Sequence, residues 1–291
     1  MFYYTWQHFL MKILLFASFI NVYSNSKDCC MVLSPRPNAG LFSVFNTVIG
    51  CLYTYELQNW SGLKVDFKDQ GLYYDKNHGS NWWEYYFEPI RLGAVNNATL
   101  KEFSADVLLD FTLLAQFTLD KFTVFKLIKK YIKLKDHIKN KIDTFYHKHF
   151  KGSCVIGVHY RGTDKVSEAP HVPYEKVFCE LQYIVQNCKN SNIKIFVATD
   201  DALFFEYIKD KFPDKVFGIE AIRSNNNKPV HFFEKTQNYK KGEDAVIDCI
   251  LLSRCQLLVR TASCLSDYSI RFNPDIAVVN LNKGHILMRK K

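Results

Sequence analysis

No Cys-x-x-Cys pair occurs anywhere in the 291 residues, although the chain carries nine cysteines. Zinc-type ligand spacing is therefore absent. There is no long basic run and no aromatic-basic repeat, so nothing in the chain points to a nucleic-acid partner. No Asp-x-Asp pair is present to chelate a divalent metal. The apolar run near the N-terminus is short for a membrane span.

What is there is a chain that is 48% hydrophobic, enough for a sizeable core, and its length suits two modest α/β domains better than one. The formal charge of +9 is compatible with solvated helix faces or with a preference for anionic ligands. Cys154, Cys249, Cys255 and Cys264 lie in apolar segments and read as small core residues. Cys29, Cys30 and Cys51 are candidates for oxidation if the chain is secreted. The odd count leaves at least one thiol without a partner in the chain.

At the N-terminus, Met11 and Lys12 precede a compact apolar run to Ile20, and Ser24, Asn25 and Ser26 follow. This is the pattern of a targeting segment over residues 1–27, with a first strand or helix as the alternative. Membrane association is expected only through this segment; otherwise the location is open. Asn59-Trp-Ser61 and Asn97-Ala-Thr99 are glycosylation acceptors only if the chain enters a secretory lumen.

A first domain is expected over residues 28–150. Met31 to Gly40 reads as a strand and a Pro/Gly turn, and Leu41, Val44, Phe45, Val48, Ile49 and Leu52 give the spacing of a helix through Glu56. Leu63–Phe67 reads as a second strand. The stretch Gly71–Arg91, with Tyr73, Tyr74, Trp82, Trp83, Tyr85, Tyr86 and Phe87, reads either as a loop presenting rings to a sugar or as a plug over the domain surface. Residues 122–150 read as one basic amphipathic helix leading to a second domain over 151–291.

The second domain alternates strand and helix. Strands are expected at Val155–Val158, Ile193–Ala198, Val216–Ile219, Leu257–Val259 and Ile276–Val279, with helices at Tyr174–Asn187, up to Lys211, Gly242–Ser253 and from Ser263. Polar residues crowd the C-terminal strand ends: His159, Arg161, Thr163, Asp164 and Lys165; then Thr199, Asp200 and Asp201; then Arg260, Thr261 and Ser263. Open α/β sheets bind ligands at such ends. Arg161 is suited to a phosphate, which a guanidinium grips through two hydrogen bonds. Asp248 falls mid-helix beside Val246, Ile247 and Ile250, where a carboxylate needs a partner. Taken singly, Asp164, Asp200 and Asp201 also suit helix or turn capping.

Three ordered blocks give these residues a common context. His159-Tyr-Arg161-Gly-Thr-Asp-Lys165, Ala198-Thr-Asp-Asp201 and Gly242-Glu-Asp-Ala-Val-Ile-Asp248 through Ser263 resemble the motifs of the α1,6-fucosyltransferases and of the related nodulation and protein O-fucosyltransferases. The resemblance runs from about Val155 to Phe272. It implies an α/β, GT-B-like fold of two Rossmann-like domains facing across a cleft, an acceptor-side domain over 28–150 and a GDP-binding domain over 151–291. It implies an inverting glycosyltransferase that moves fucose from GDP-fucose to a hydroxyl of an oligosaccharide or glycoconjugate, with neither cofactor nor metal.

By the same resemblance, Arg161 holds the donor β-phosphate, His159 and Asp248 meet the guanine, and Ser263 lies in the phosphate-binding turn, with Thr261 at the same strand end a further donor-binding candidate. Asp164, Lys165, Asp200 and Asp201 occupy motif positions near donor and acceptor, and Glu168 falls at the catalytic base. Two departures stand out: Gly162 replaces the family's second arginine, and the loop before Glu168 is one residue short. Arg260 is a candidate for the missing charge. A transferase using another GDP-sugar and a non-catalytic GDP-sugar- or glycan-binding protein are the alternatives.

Overall fold

In a computed structural model of the chain, residues 30–33, 39–94, 100–103, 105–162, 170–225, 230 and 236–283 are described. The segment 1–27, Asn97-Ala-Thr99, and Asp164, Lys165 and Glu168 lie outside the described residues.

The chain divides into two units, Met1–Lys135 and Asp136–Lys291. In the first, strand β1 (Cys30–Leu33) leads to helix α1 (Leu41–Gln58), followed by β2 (Gly62–Val65), β3 (Arg91–Gly93), β4 (Leu100–Glu102), α2 (Ala105–Leu113) and α3 (Lys121–Tyr131). The sheet order is β3-β2-β1-β4, with β1 parallel to β2 and β4 and with β3 antiparallel on the edge. All six apolar positions that set the period of α1 are buried. Gly50 lets α1 press directly on the backbone of Phe111 in α2, and the Thr47 and Thr112 hydroxyls share a 2.7 Å hydrogen bond beside that contact.

The aromatic stretch is a plug. Trp82, Trp83, Tyr85, Tyr86 and Phe87 are buried; Trp83 stacks on Phe87 at 4.4 Å and leans on Phe45 of α1 at 5.4 Å. Asn81 organises the turn: its carbonyl oxygen accepts from Phe67 N–H at 3.0 Å, and its amide donates to Val65 O at 3.0 Å. Burial of this much ring surface outweighs display to a ligand, so of the two alternatives read from the sequence the structure takes the plug and not the sugar-facing loop.

The single helix expected over 122–150 is also corrected. It breaks at Ile132, the C-cap of α3, and resumes as α4 (Asp136–His149). Between them the chain runs beside the plug: Glu88 N–H donates to Lys133 O at 2.8 Å and Lys135 N–H to Tyr86 O at 2.9 Å. The helix yields because these backbone bonds are made with the plug instead. Helix α4 belongs to the second unit, where Asp143 pairs with Arg254 at 2.8 Å and Lys141 with Glu243 at 2.6 Å.

That unit continues through β5 (Cys154–Tyr160), α5 (Tyr174–Asn187), β6 (Ile193–Thr199), α6 (Ala202–Lys211), β7 (Val216–Phe217), α7 (Asn238–Ser253), β8 (Leu257–Arg260), α8 (Cys264–Phe272) and β9 (Ala277–Asn280). The sheet is parallel throughout, in the order β7-β6-β5-β8-β9. Strands added after β5 grow toward one edge through β7; then the chain crosses to the other side of β5. The strand order therefore reverses between β5 and β8, which is where an open α/β sheet forms its ligand crevice.

Candidate functional site

The reversal point is stitched by three hydrogen bonds. Thr261 N–H donates to His159 O at 3.0 Å, Arg161 N–H donates to Thr261 Oγ1 at 2.9 Å, and Thr199 Oγ1 donates to Tyr160 O at 2.8 Å. They hold the ends of β8, β5 and β6 level, so that His159, Arg161, Asp200 and Thr261 emerge together. The Arg161 guanidinium reaches Asp200 at 3.0 Å. Downstream, Tyr160 OH donates to Val172 O at 2.9 Å and Asn282 Nδ2 to Pro170 O at 2.8 Å, anchoring the far side of the loop that leaves β5.

His159 and Asp248 are predicted residues that carry a buried atom without a hydrogen-bond partner among the described residues. His159 is 4% exposed, and its Nδ1 has no hydrogen-bond partner among the described residues. Burial, with Arg260 and Arg161 adding like charge, pushes its pKa down to about 3, so the ring is neutral at physiological pH. Asp248, on α7, is 7% exposed and its Oδ1 likewise lacks a partner among the described residues. Burial, reinforced by Asp244, holds its pKa well above the usual carboxylate range, against the opposing pull of Arg223 and Lys240. A buried polar group left unpaired costs free energy, and a native fold retains one where a ligand completes it.

Arg223 belongs to this cluster and was not legible in the sequence, where it sits in a polar loop without a motif. Its guanidinium lies 4.2 Å from the centroid of the Phe205 ring, and Nη2 donates to Ile219 O at 2.9 Å. Its Nε is buried with no partner among the described residues. Asp248 and Arg223 thus place an acceptor and a donor near one another, each with an atom to spare. The one available signal was the requirement that Asp248 have a partner.

Other predicted residues serve the scaffold. Asp201 caps α6 by accepting from Phe204 N–H at 3.1 Å, and its other oxygen accepts from Tyr174 OH. Ser263 caps α8, with Oγ accepting from Leu265 N–H at 3.3 Å. Arg260 does not supply a second free cation: it pairs with Asp267 and donates to Ser263 O and Thr261 O at 3.3 Å each, locking the 261–263 turn. At Gly162 a Cβ would lie 2.6 Å from Tyr160 Cε1 and 2.8 Å from Asp201 Oδ2. The backbone that carries Arg161 therefore has no room for the second arginine of the motif. Among the described residues no group of three or more His, Cys, Asp or Glu is placed to hold a metal ion, and no helix is long and apolar enough to cross a membrane.

Comparison with known proteins agrees with this arrangement. Nodulation protein Z of Bradyrhizobium diazoefficiens is 28% identical over 162 residues, covering 52% of this chain and 43% of that protein. Nodulation protein Z of Sinorhizobium fredii is 24% identical over 164 residues, covering 52% and 49%. The match thus spans less than half of either relative. Among solved structures, NodZ α-1,6-fucosyltransferase soaked with GDP-fucose superposes with a TM-score of 0.55 at 18% identity, over 84% of this chain and 92% of that one. POFUT1 in complex with GDP gives 0.52 at 11% identity, over 88% and 99%. The fold is thus of the GT-B type. The family model described as Nodulation protein Z (NodZ) covers residues 101–289, which takes in every strand end described above for the second unit, and on that match the chain belongs to the NodZ family.

Proposed function

We propose that the protein is an inverting fucosyltransferase, taking fucose from GDP-fucose to a hydroxyl of a glycan. The observation that carries this reading is the buried, unsatisfied pair His159 Nδ1 and Asp248 Oδ1 within motif blocks shared with a family that includes a GDP-fucose-soaked transferase. Guanine offers the complement: its N1–H and amino group donate to a carboxylate, and its O6 accepts from a guanidinium. In this scheme Asp248 takes the donors and Arg223 serves O6. Those bonds favour the ionised carboxylate that burial alone disfavours.

At the reversal point Arg161 stabilises charge gathering on the departing diphosphate, with Asp200 orienting its guanidinium. The 261–263 turn offers the start of α8, whose backbone N–H groups and helix dipole favour anionic oxygens. Fixed cationic and backbone groups thus do the work that a metal does in other transferases, and the reaction proceeds without one. Glu168 is the base that removes the acceptor proton, with Asp164 and Lys165 on the same loop. Asp200 is the poorer base, since its charge already serves Arg161.

The test is GDP release with GDP-fucose, GDP-mannose and UDP-sugars against a glycan panel, with and without chelator. Turnover confined to GDP-fucose and indifferent to chelator is expected. Activity with a UDP-sugar alone overturns the donor assignment, and thermal stabilisation by GDP without turnover on any acceptor makes the protein a binder. Arg161→Ala should lower kcat by about two to three orders of magnitude, the cost of about 3–4 kcal/mol of transition-state stabilisation. Arg161→Lys should recover little of it, because the planar fork is lost.

A further inference from the structure

We propose that Asp244 is a positioning residue for nucleotide choice: with Lys240 it holds the 219–224 loop so that Arg223 stands beside Asp248. The inference rests on the reading of this site as one for a guanine nucleotide, and it assigns Asp244 no contact with the base. Residues 218–223 form neither strand nor helix, so the loop needs other partners to keep a side chain in place.

Two clamps supply them, one on each side of Arg223. On the α7 side, Ile222 N–H donates to Asp244 Oδ2 at 3.2 Å. Lys240, one turn earlier on α7, pairs with Asp244 through Oδ1 and donates to Glu220 O at 3.1 Å. On the β6 side, Ser224 N–H donates to Asp200 O at 2.7 Å and Ala202 N–H to Ser224 O at 2.9 Å. Arg223 thus stands between two fixed neighbours, Ile222 and Ser224. At Gly218 a Cβ would lie 2.9 Å from Phe205 Cε2 and 3.2 Å from Arg223 Nη2, so the start of the loop leaves room for the arginine on its ring.

Asp244 and Asp248 lie one turn apart on α7 and so on the same face of the helix. The first fixes the loop that carries the donor, Arg223; the second is the acceptor. The register of α7 thereby sets the spacing between the two groups that meet the base. A lysine and an aspartate one turn apart also support a helix by themselves. That role has no use for Oδ2, whereas here Asp244 is buried with Oδ2 bonded to the loop.

Calorimetry of the full chain with GDP and 6-thio-GDP tests this. The analogue keeps the N1–H and the amino group of guanine but carries sulfur, a weaker acceptor, in place of O6. The wild type should prefer GDP, and Arg223→Met should abolish the preference. Asp244→Ala should weaken GDP by roughly 2–10-fold, the net contribution of one hydrogen bond, and should narrow the preference. Asp244→Asn keeps an oxygen for Ile222 N–H and should recover most of the loss. In the Arg223→Met background, Asp244→Ala should add no further loss. Lys240→Met, at a half-exposed side chain, repeats the cycle where Asp244→Ala folds poorly. A loss of GDP affinity that is equal with and without Arg223, or that leaves the ratio of GDP to 6-thio-GDP affinity at its wild-type value, is a general structural effect and overturns the proposal. An Asp244→Ala protein that binds GDP as the wild type does, or a wild type indifferent to the sulfur, overturns it too. Failure of the wild type to bind GDP brings down the guanine reading and this inference with it; wild-type binding with silent Asp244 variants brings down this inference alone.

Discussion

Asp248, set among Val246, Ile247 and Ile250, keeps an oxygen and Arg223 nearby an Nε without a partner among the described residues; on the proposed function they make nucleotide choice a question about two side chains. Inosine diphosphate lacks the exocyclic amino group but retains O6. The wild type should therefore bind GDP more tightly than IDP, and Asp248→Asn should abolish that preference while weakening GDP by roughly 10–100-fold, the range of a hydrogen bond to a charged group. Arg223→Met should weaken both nucleotides by the same factor. Calorimetry on the three proteins checks this; equal affinity of the wild type for GDP and IDP removes Asp248 from the amino group. Gly162 is a second case. Its replacement by arginine restores the family pattern in sequence but drives a Cβ into Tyr160 and Asp201. Gly162→Arg should lower stability by about 1–3 kcal/mol in chemical denaturation and give no gain in turnover. The motif blocks announced His159, Arg161 and Asp248 because several chemical types recur there at fixed spacing. Arg223 was hidden because one arginine in a polar loop has the same sequence appearance whether it is solvated or held over Phe205.

Among the elements, α1 separates propensity from packing. Alanine is a better helix former than glycine by about 1 kcal/mol, so Gly50→Ala should stabilise an isolated helix. Here its Cβ would meet the Phe111 backbone, which has no rotamer through which to yield. The expected outcome is a net loss of about 1–3 kcal/mol and a lower Tm; a rise in Tm would show that α2 moves aside. The helix itself was readable from its apolar spacing, although Val44 to Leu52 are buried all round, and α5 falls at the boundaries that spacing predicts, because one of its faces is buried and the other is not. The elements that escaped prediction lack that contrast. Strand β3 pairs along one edge only and has exposed Arg91 and Gly93. The break after α3 is set by backbone bonds to Tyr86 and Glu88, partners far away in sequence. The aromatic plug offered rings without periodicity, so composition alone left its direction open.

For the molecule as a whole, acid stability should carry the signature of His159. Its folded pKa is near 3 against 6.5 ordinarily, so between those values the unfolded chain takes up a proton that the folded chain refuses. Stability is then lost as pH falls through that window, by about 2 kcal/mol between pH 7 and pH 5 for this one group. Asp248 is displaced the other way: its folded form holds a proton that the unfolded chain releases, so its contribution declines as pH climbs above the ordinary carboxylate value. Urea denaturation of the wild type and of His159→Gln at pH 7 and pH 5 checks the histidine; an equal acid loss in both assigns the effect elsewhere. The strand order β7-β6-β5-β8-β9 also has a temporal meaning. On the ribosome, β5, β6 and β7 emerge in succession and can pair as they come, but the partner on the other flank of β5 is synthesised only after α7 is complete. On the proposed function, nucleotide affinity is thus a late acquisition in the life of the nascent chain, gained by a contact of long sequence separation rather than by the local motif around Arg161. A chain stalled before Leu257 should carry that motif in full and still pass through a GDP matrix unretained.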